Sequence, residues 1–190
     1  MTTTTTTAVS HPRNFETKEY CIRSIQVIDN GSGCRLLFPR GEQTSQGPVR
    51  LRFGKAFRLR VDYECLMPEL PEVSCGVAAA FTRVKDMEPI MYFNTNYPHS
   101  DEEFLNYDRV EFRKYIGRTG RVEAYVEKLQ ASPDDYLLTV GILPNRPGHH
   151  AFYELHYLCY PVVVEPDGCE IKGIFAPHFS VAHDVLDNGE

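Results

Sequence analysis

Tryptophan is absent from all 190 residues, and so are any Cys-x-x-Cys pair and any run of lysine and arginine. Each gap removes a class of protein. Without a basic cluster, and at a net charge of -6, the chain has no electrostatic footprint for nucleic acid. No apolar stretch approaches the ~20 residues that a helix needs to cross a bilayer, so membrane insertion is not expected. The start, Met1 followed by Thr2 to Thr7, has neither a basic nor an apolar leader region. Reduced thiols and a cytoplasmic location are therefore expected, although the six cysteines (Cys21, Cys34, Cys65, Cys75, Cys159 and Cys169) are even in number. There is no G-x-x-x-x-G-K-[ST] phosphate loop, no G-x-S-x-G elbow, and no Cys beside a His in a nucleophile motif. Nothing demands an active site or a cofactor, and no catalysis is expected.

What is present is alternation. Phe57-Arg58-Leu59-Arg60-Val61-Asp62-Tyr63-Glu64 switches between apolar and charged side chains without a fault. Successive side chains on a strand point to opposite faces, which puts Phe57, Leu59, Val61 and Tyr63 on one buried face. Arg58, Arg60, Asp62 and Glu64 share the other, the signature of an antiparallel sheet with one wet side. Similar segments recur: Ile22 to Ile28, Cys34 to Phe38, Val49 to Phe53, Val73 to Phe81, Ile90 to Phe93, Val122 to Val126, Tyr136 to Leu143, Phe152 to Val164 and Ile171 to Phe179. The long Phe152 to Val164 segment is expected to bulge or break at Pro161, which cannot donate to a ladder. Turn chemistry separates the segments, at Asn30-Gly31-Ser32-Gly33, Gly54-Lys55, Lys85 to Pro89 and Ser132 to Asp135. One helical turn near Glu102 to Leu105 is the most helix the pattern allows. The fold class is all-β, a two-sheet antiparallel β-sandwich of jelly-roll or immunoglobulin-like type. Residues 1–17 read as a disordered Thr-rich tail, 18–182 as the sandwich and 183–190 as a flexible end.

The order of these pieces resembles the carbohydrate-binding C-terminal domain of O-antigen ABC-transporter ATPases, the Wzt C-terminal family. The matching segments are Ile22 to Asp29, Phe53 to Tyr63, Met91-Tyr92-Phe93-Asn94-Thr95, Asp134 to Ile142 in place of the family's G-x-Y-x-L-x-V-G strand, and Tyr153-Glu154 leading to Tyr160 to Glu165. They span roughly residues 20 to 180. The resemblance implies a non-enzymatic β-sandwich that recognises a bacterial surface polysaccharide or lipid-linked glycan in the cytoplasm before export, often as a homodimer. The chain departs from the family in carrying no ATPase module, so a separate ABC-transporter ATPase, or a glycan-modifying enzyme, is the implied partner. Asp135 also stands where the family has a glycine before Tyr136.

Sugar recognition needs aromatic faces for stacking and planar polar groups for paired hydroxyls. The polar, aromatic stretch from Asn94 to Tyr107 holds both; Asn94, Thr95, Asn96, Tyr97 and His99 are its candidates, against the plainer reading of a solvated loop capped by its own side chains. Arg58, Arg60 and Asp62 are candidates on the wet face, against the reading that they form cross-strand charge pairs. Tyr92 and Tyr136 are candidate stacking platforms among Tyr92, Tyr125, Tyr136, Tyr153 and Tyr157, most of which are expected in the core with the hydroxyl at its boundary. Two rival readings stand beside the glycan-binding one. His149, His150, Glu154 and His156, with His178 or His183, suggest a cupin-like metal-dependent sugar-modifying enzyme. Exposed sheet edges suggest an oligomerising structural subunit. Small residues at Ser74, Gly76, Ala78 and Ala80 admit close approach by either a protein layer or a ligand.

Overall fold

The computed structural model describes residues 15–29, 33–38, 47–70, 75–94, 117–144, 151–166 and 179–187. They form eleven strands: β1 Phe15–Glu16, β2 Tyr20–Asp29, β3 Gly33–Phe38, β4 Val49–Arg52, β5 Phe57–Cys65, β6 Cys75–Arg83, β7 Pro89–Asn94, β8 Thr119–Val126, β9 Asp134–Pro144, β10 Glu154–Glu165 and β11 Phe179–Asp187. One sheet runs β1-β10-β9-β6-β7, with β4 also on β10; the other runs β11-β8-β5-β2-β3. The chain is an all-β two-sheet sandwich. Among the described residues all strand pairings are antiparallel but one, β4 on β10, which is parallel from Val49↔Val162 to Arg52↔Glu165. No helix among the described residues is long and apolar enough to cross a membrane.

Period-two patterning builds the core as expected. Phe57, Leu59, Val61 and Tyr63 on β5 are buried, as are Val77, Ala79 and Phe81 on β6 and Leu138, Val140 and Ile142 on β9. Rings knit the two layers: Phe57 meets Phe81 edge-on at 5.9 Å between centroids, and Tyr20 meets Tyr63 at 5.7 Å. Burying a large apolar side chain contributes about 1.5–3 kcal/mol, so these rows are what hold the sheets face to face. Gly120 lies opposite Tyr63 in the β5–β8 register, and a Cβ there would sit 2.3 Å from that ring. The glycine is the space that lets Tyr63 lie flat across β8.

Three expectations need correction. The irregularity in β10 falls between His156 and Tyr160, where three residues oppose Thr139 alone, and not at Pro161. Leu158 there takes a left-handed φ of 54° and donates its N–H to Thr139 Oγ1 at 2.9 Å. Pro161 sits between the stretches of β10 that β1 and β4 pair, so its missing N–H costs no bond to either. The last strand runs Phe179–Asp187, so His183, Asp184, Val185 and Asp187 are paired to β8. It closes an edge that β8 would otherwise leave open, a long-range need that local composition does not signal. Finally, Phe15–Glu16 pair with Leu155 and Glu154, which shortens the expected tail. Residues 1–14, the segment 171–178 and the Glu102 to Leu105 turn lie outside the described residues.

Candidate functional site

The outward face of the five-stranded sheet is where β5 places its charges. Antiparallel register sets Arg58 opposite Tyr125, Arg60 opposite Glu123 and Asp62 opposite Arg121 on β8. On the other side, Gln26 faces Arg60 and Ser24 faces Asp62 from β2. The side chains then lock in pairs. Glu123 accepts from Arg58 Nη1 at 3.1 Å and from Arg60 Nε at 2.8 Å. Asp62 accepts from Arg121 Nε at 2.6 Å and from the Ser24 hydroxyl at 2.8 Å. Burial pushes the Asp62 carboxyl up, but the hydrogen bonds from Arg121 and Ser24 and the charges of Arg121 and Arg60 outweigh it, holding the group below the ordinary carboxylate range. Arg23 pairs with Glu64 further along. The Arg58 guanidinium also stands over the Tyr125 ring, 5.4 Å from its centroid.

The result is a wet network of planar donors and acceptors, each held by its neighbours. Each exposed ion pair is worth only about 0–1 kcal/mol, so stability alone gives little reason for so long a ladder. Its chemical capacity is to offer paired hydrogen-bonding groups to hydroxyls, beside one half-buried aromatic ring. Alternation in β8 already placed Arg121, Glu123 and Tyr125 on one face. Their partnership with β5 was not legible, because pairing between strands about 60 residues apart is not a local property.

The other expected residues scatter. Tyr92 and Asn94 lie on one face of β7, at the opposite sheet. Asn94 Nδ2 donates to the Tyr92 hydroxyl at 3.0 Å; Asn94 is buried while Tyr92 is half exposed. Thr95, Asn96, Tyr97 and His99, together with His149, His150 and His178, lie outside the described residues. Tyr136 is a correction. It is 1% exposed, packs edge-on to Phe81 and donates its hydroxyl to the Ser132 carbonyl at 2.6 Å. Its position on β9 faces the opposing sheet, so no ring face is offered to a ligand. Tyr125, which the charges of β5 meet, takes its place on the wet side.

The small-residue strip resolves toward a protein layer over Gly141 at least. Gly76, Ala78 and Leu143 point away from the main core yet are buried. A Cβ on Gly141 would sit 2.5 Å from the Phe152 ring, which packs directly over it. Glu154 and His156 share a face, as their spacing requires, but it is the inward one. His156 Nε2 meets the Glu154 carboxylate, Nδ1 meets the Tyr160 hydroxyl, and Glu154 accepts the Ile22 N–H at 2.6 Å. Their polar atoms are thus directed at one another and at backbone. Among the described residues there is no group of three side chains placed to hold a metal ion.

No protein-family model matches this chain, and no curated protein matches it. Among solved structures, the C-terminal domain of Wzt is similar with a TM-score of 0.55, covering 88% of this chain and 86% of that one at 12% identity. At that identity the likeness is one of fold: both are β-sandwiches over nearly their whole lengths.

Proposed function

We propose that this chain is a non-enzymatic carbohydrate-binding module that recognises a bacterial surface polysaccharide, O-antigen-like, for export or assembly. The single observation that carries the reading is the registered face of β5 and β8, where Arg58, Arg60, Glu123, Asp62 and Arg121 stand beside Tyr125. Groups already fixed by their neighbours lose little freedom when a sugar arrives, and hydroxyl recognition by such groups rejects analogues that leave them unpaired. The resemblance of the sequence to a carbohydrate-binding family and the shared fold with the Wzt domain support the same class of ligand.

In this reading the module acts in the cytoplasm, as a homodimer, alongside a separate ABC-transporter ATPase or glycan-modifying enzyme. Linking a binding module to a separate motor raises effective concentration and needs no chemistry of its own. A glycan array of O-chain polysaccharides tests the proposal. Binding is expected, and Arg60→Ala and Tyr125→Ala are expected to weaken it about tenfold with the thermal midpoint near that of the parent. Silence across the array, or variants that bind as the parent does, refutes the proposed face.

A further inference from the structure

The outward face of the six-stranded sheet is the chemical opposite of the charged β5–β8 face. One of its rows runs Tyr92–Ala80–Thr139 across β7, β6 and β9, and the next runs Pro89–Thr82–Leu137–Pro161 from β7 to β10. Neither row holds a charged residue; the first one met is Asp135, at the border beyond Leu137. Tyr157 follows the inward-facing His156 in the β10 irregularity beside Thr139, whose hydroxyl accepts the next N–H, that of Leu158. Six large hydrophobic side chains are exposed among the described residues, and four of them belong to this side of the molecule. They are Tyr92 and Tyr157, each 49% exposed, with Val84 and Met87 at the β6–β7 turn. Between them Thr82 is 8% exposed, and its hydroxyl has no hydrogen-bond partner among the described residues. Toward Gly141 the face is already covered by the Phe152 ring, which bounds the patch.

We infer that two copies of this chain pack by this face, sheet against sheet about a two-fold axis, with a tyrosine of each seated between the tyrosines of the other. The inference rests on the homodimer proposed for the chain and supplies its interface. Interface cores are depleted of charge and enriched in tyrosine and methionine, which is the composition of this patch. The β5–β8 face suits such a contact poorly, because burying its ion pairs carries a desolvation cost. A two-fold contact also needs a surface that fits itself. β6 and β9 separate the strands that carry Tyr92 and Tyr157, so the two rings stand about 14 Å apart across a lane floored by the small side chains of Ala80 and Thr139. One ring from the facing copy fills that lane, and its hydroxyl offers Thr82 the partner that its own chain does not supply. Four strands by three rows make a face of about 20 by 20 Å, so two copies bury about 800–1,000 Å² together, the low end for a specific contact. The dimer is accordingly reversible. Its two charged faces point away from each other, which lets one dimer hold two separate glycan chains.

Sedimentation velocity of the full chain, from about 1 to about 500 μM, tests this. A monomer–dimer equilibrium is expected. Tyr157→Arg and Tyr92→Arg each place a charge in the contact of both copies, and each is expected to raise the dissociation constant about tenfold or more while the circular dichroism spectrum stays that of the parent. Leu186→Arg, on β11 of the other sheet, is expected to leave the constant unchanged. A parent that is monomeric at the highest concentration, a dimer indifferent to both tyrosine variants, or one broken by Leu186→Arg overturns the inference. Tyr92 also accepts the Asn94 amide, so its variant tests folding as well as contact. Should it prove unstable, Tyr157→Arg decides together with amide chemical shifts of the parent on dilution. Shifts at Ala80, Leu137 and Thr139 uphold the interface, and shifts confined to β11 overturn it. Glycan binding is read separately on the array. A monomer that binds glycans removes this interface alone, whereas a dimer that depends on Tyr157 and binds none upholds the interface and removes the glycan reading.

Discussion

His156 and Glu154 face each other inside the sandwich, the imidazole Nε2 against the carboxylate, with the Tyr160 hydroxyl on the imidazole's far side. Phe38 closes the group edge-on at 4.8 Å from the imidazole. Every polar atom in this chain of contacts depends on the next. Glu154→Ala therefore strands the imidazole and the Ile22 N–H together, and is expected to destabilise the fold by about 2–4 kcal/mol. Chemical denaturation of Glu154→Ala, His156→Leu and the double variant checks this. The double variant is expected to lose less than the two singles added together. Strict additivity would show that the pair does not act as a unit.

The Asp62 carboxylate gives a pH signature. Its folded-state pKa lies below the unfolded one, because the bonds from Arg121 and Ser24 prevail over the cost of burial. A group depressed in this way contributes stability that is complete above the unfolded carboxylate value and lost as pH falls through the folded one. The stability gap between the parent and Asp62→Asn is therefore expected to be constant near neutrality and to close as pH drops below about 4. Denaturant titrations at a series of pH values measure it. A gap that is unchanged down to strongly acid pH would count against the pairing.

Gly120 and Tyr63 give a steric prediction. A Cβ at position 120 meets the Tyr63 ring at 2.3 Å, and that ring is 1% exposed. Gly120→Ala is expected to cost about 1–3 kcal/mol, and Tyr63→Leu in the same chain to recover part of the loss. Thermal melts of the two single variants and their combination decide it.

Thiol chemistry should separate the cysteines by depth. Burial pushes the Cys75 thiol well above its ordinary value and raises Cys21 as well, whereas Cys34 is exposed on edge strand β3. Since the thiolate is the reactive form, alkylation of the native protein is expected to mark Cys34 before Cys21, and Cys21 before Cys75. Peptide mass spectrometry at timed intervals reads the order. Early labelling of Cys75 would mean that β6 opens readily.

Met87 occupies the left-handed region at φ 59° in the β6–β7 turn, and its side chain is half exposed. Left-handed backbone costs a non-glycine residue roughly 1–2 kcal/mol, while glycine there adds unfolded-state entropy. Met87→Gly is expected to stabilise the protein modestly, by under about 1 kcal/mol. A drop in the denaturation midpoint would point to a contact made by the methionine side chain.

The sequence by itself determined the class of fold and which side of each strand is wet. Phe57 to Glu64 alternates perfectly, and a period of two can only mean one buried and one exposed face. Turn residues at Gly54-Lys55 and Lys85 to Pro89 likewise fixed where strands end. Tertiary structure alone decided who meets whom. Glu123 and Arg121 became partners of Arg60 and Asp62 through a register set between distant segments. Glu154 and His156 turned inward because register sets them opposite the buried Ile142 and Val140 of β9, on the same face as Tyr160 and Val162. Alternation carries the sign of each face but not its neighbour, since strand pairing and sheet stacking are long-range choices made when the two layers bury their rows against each other.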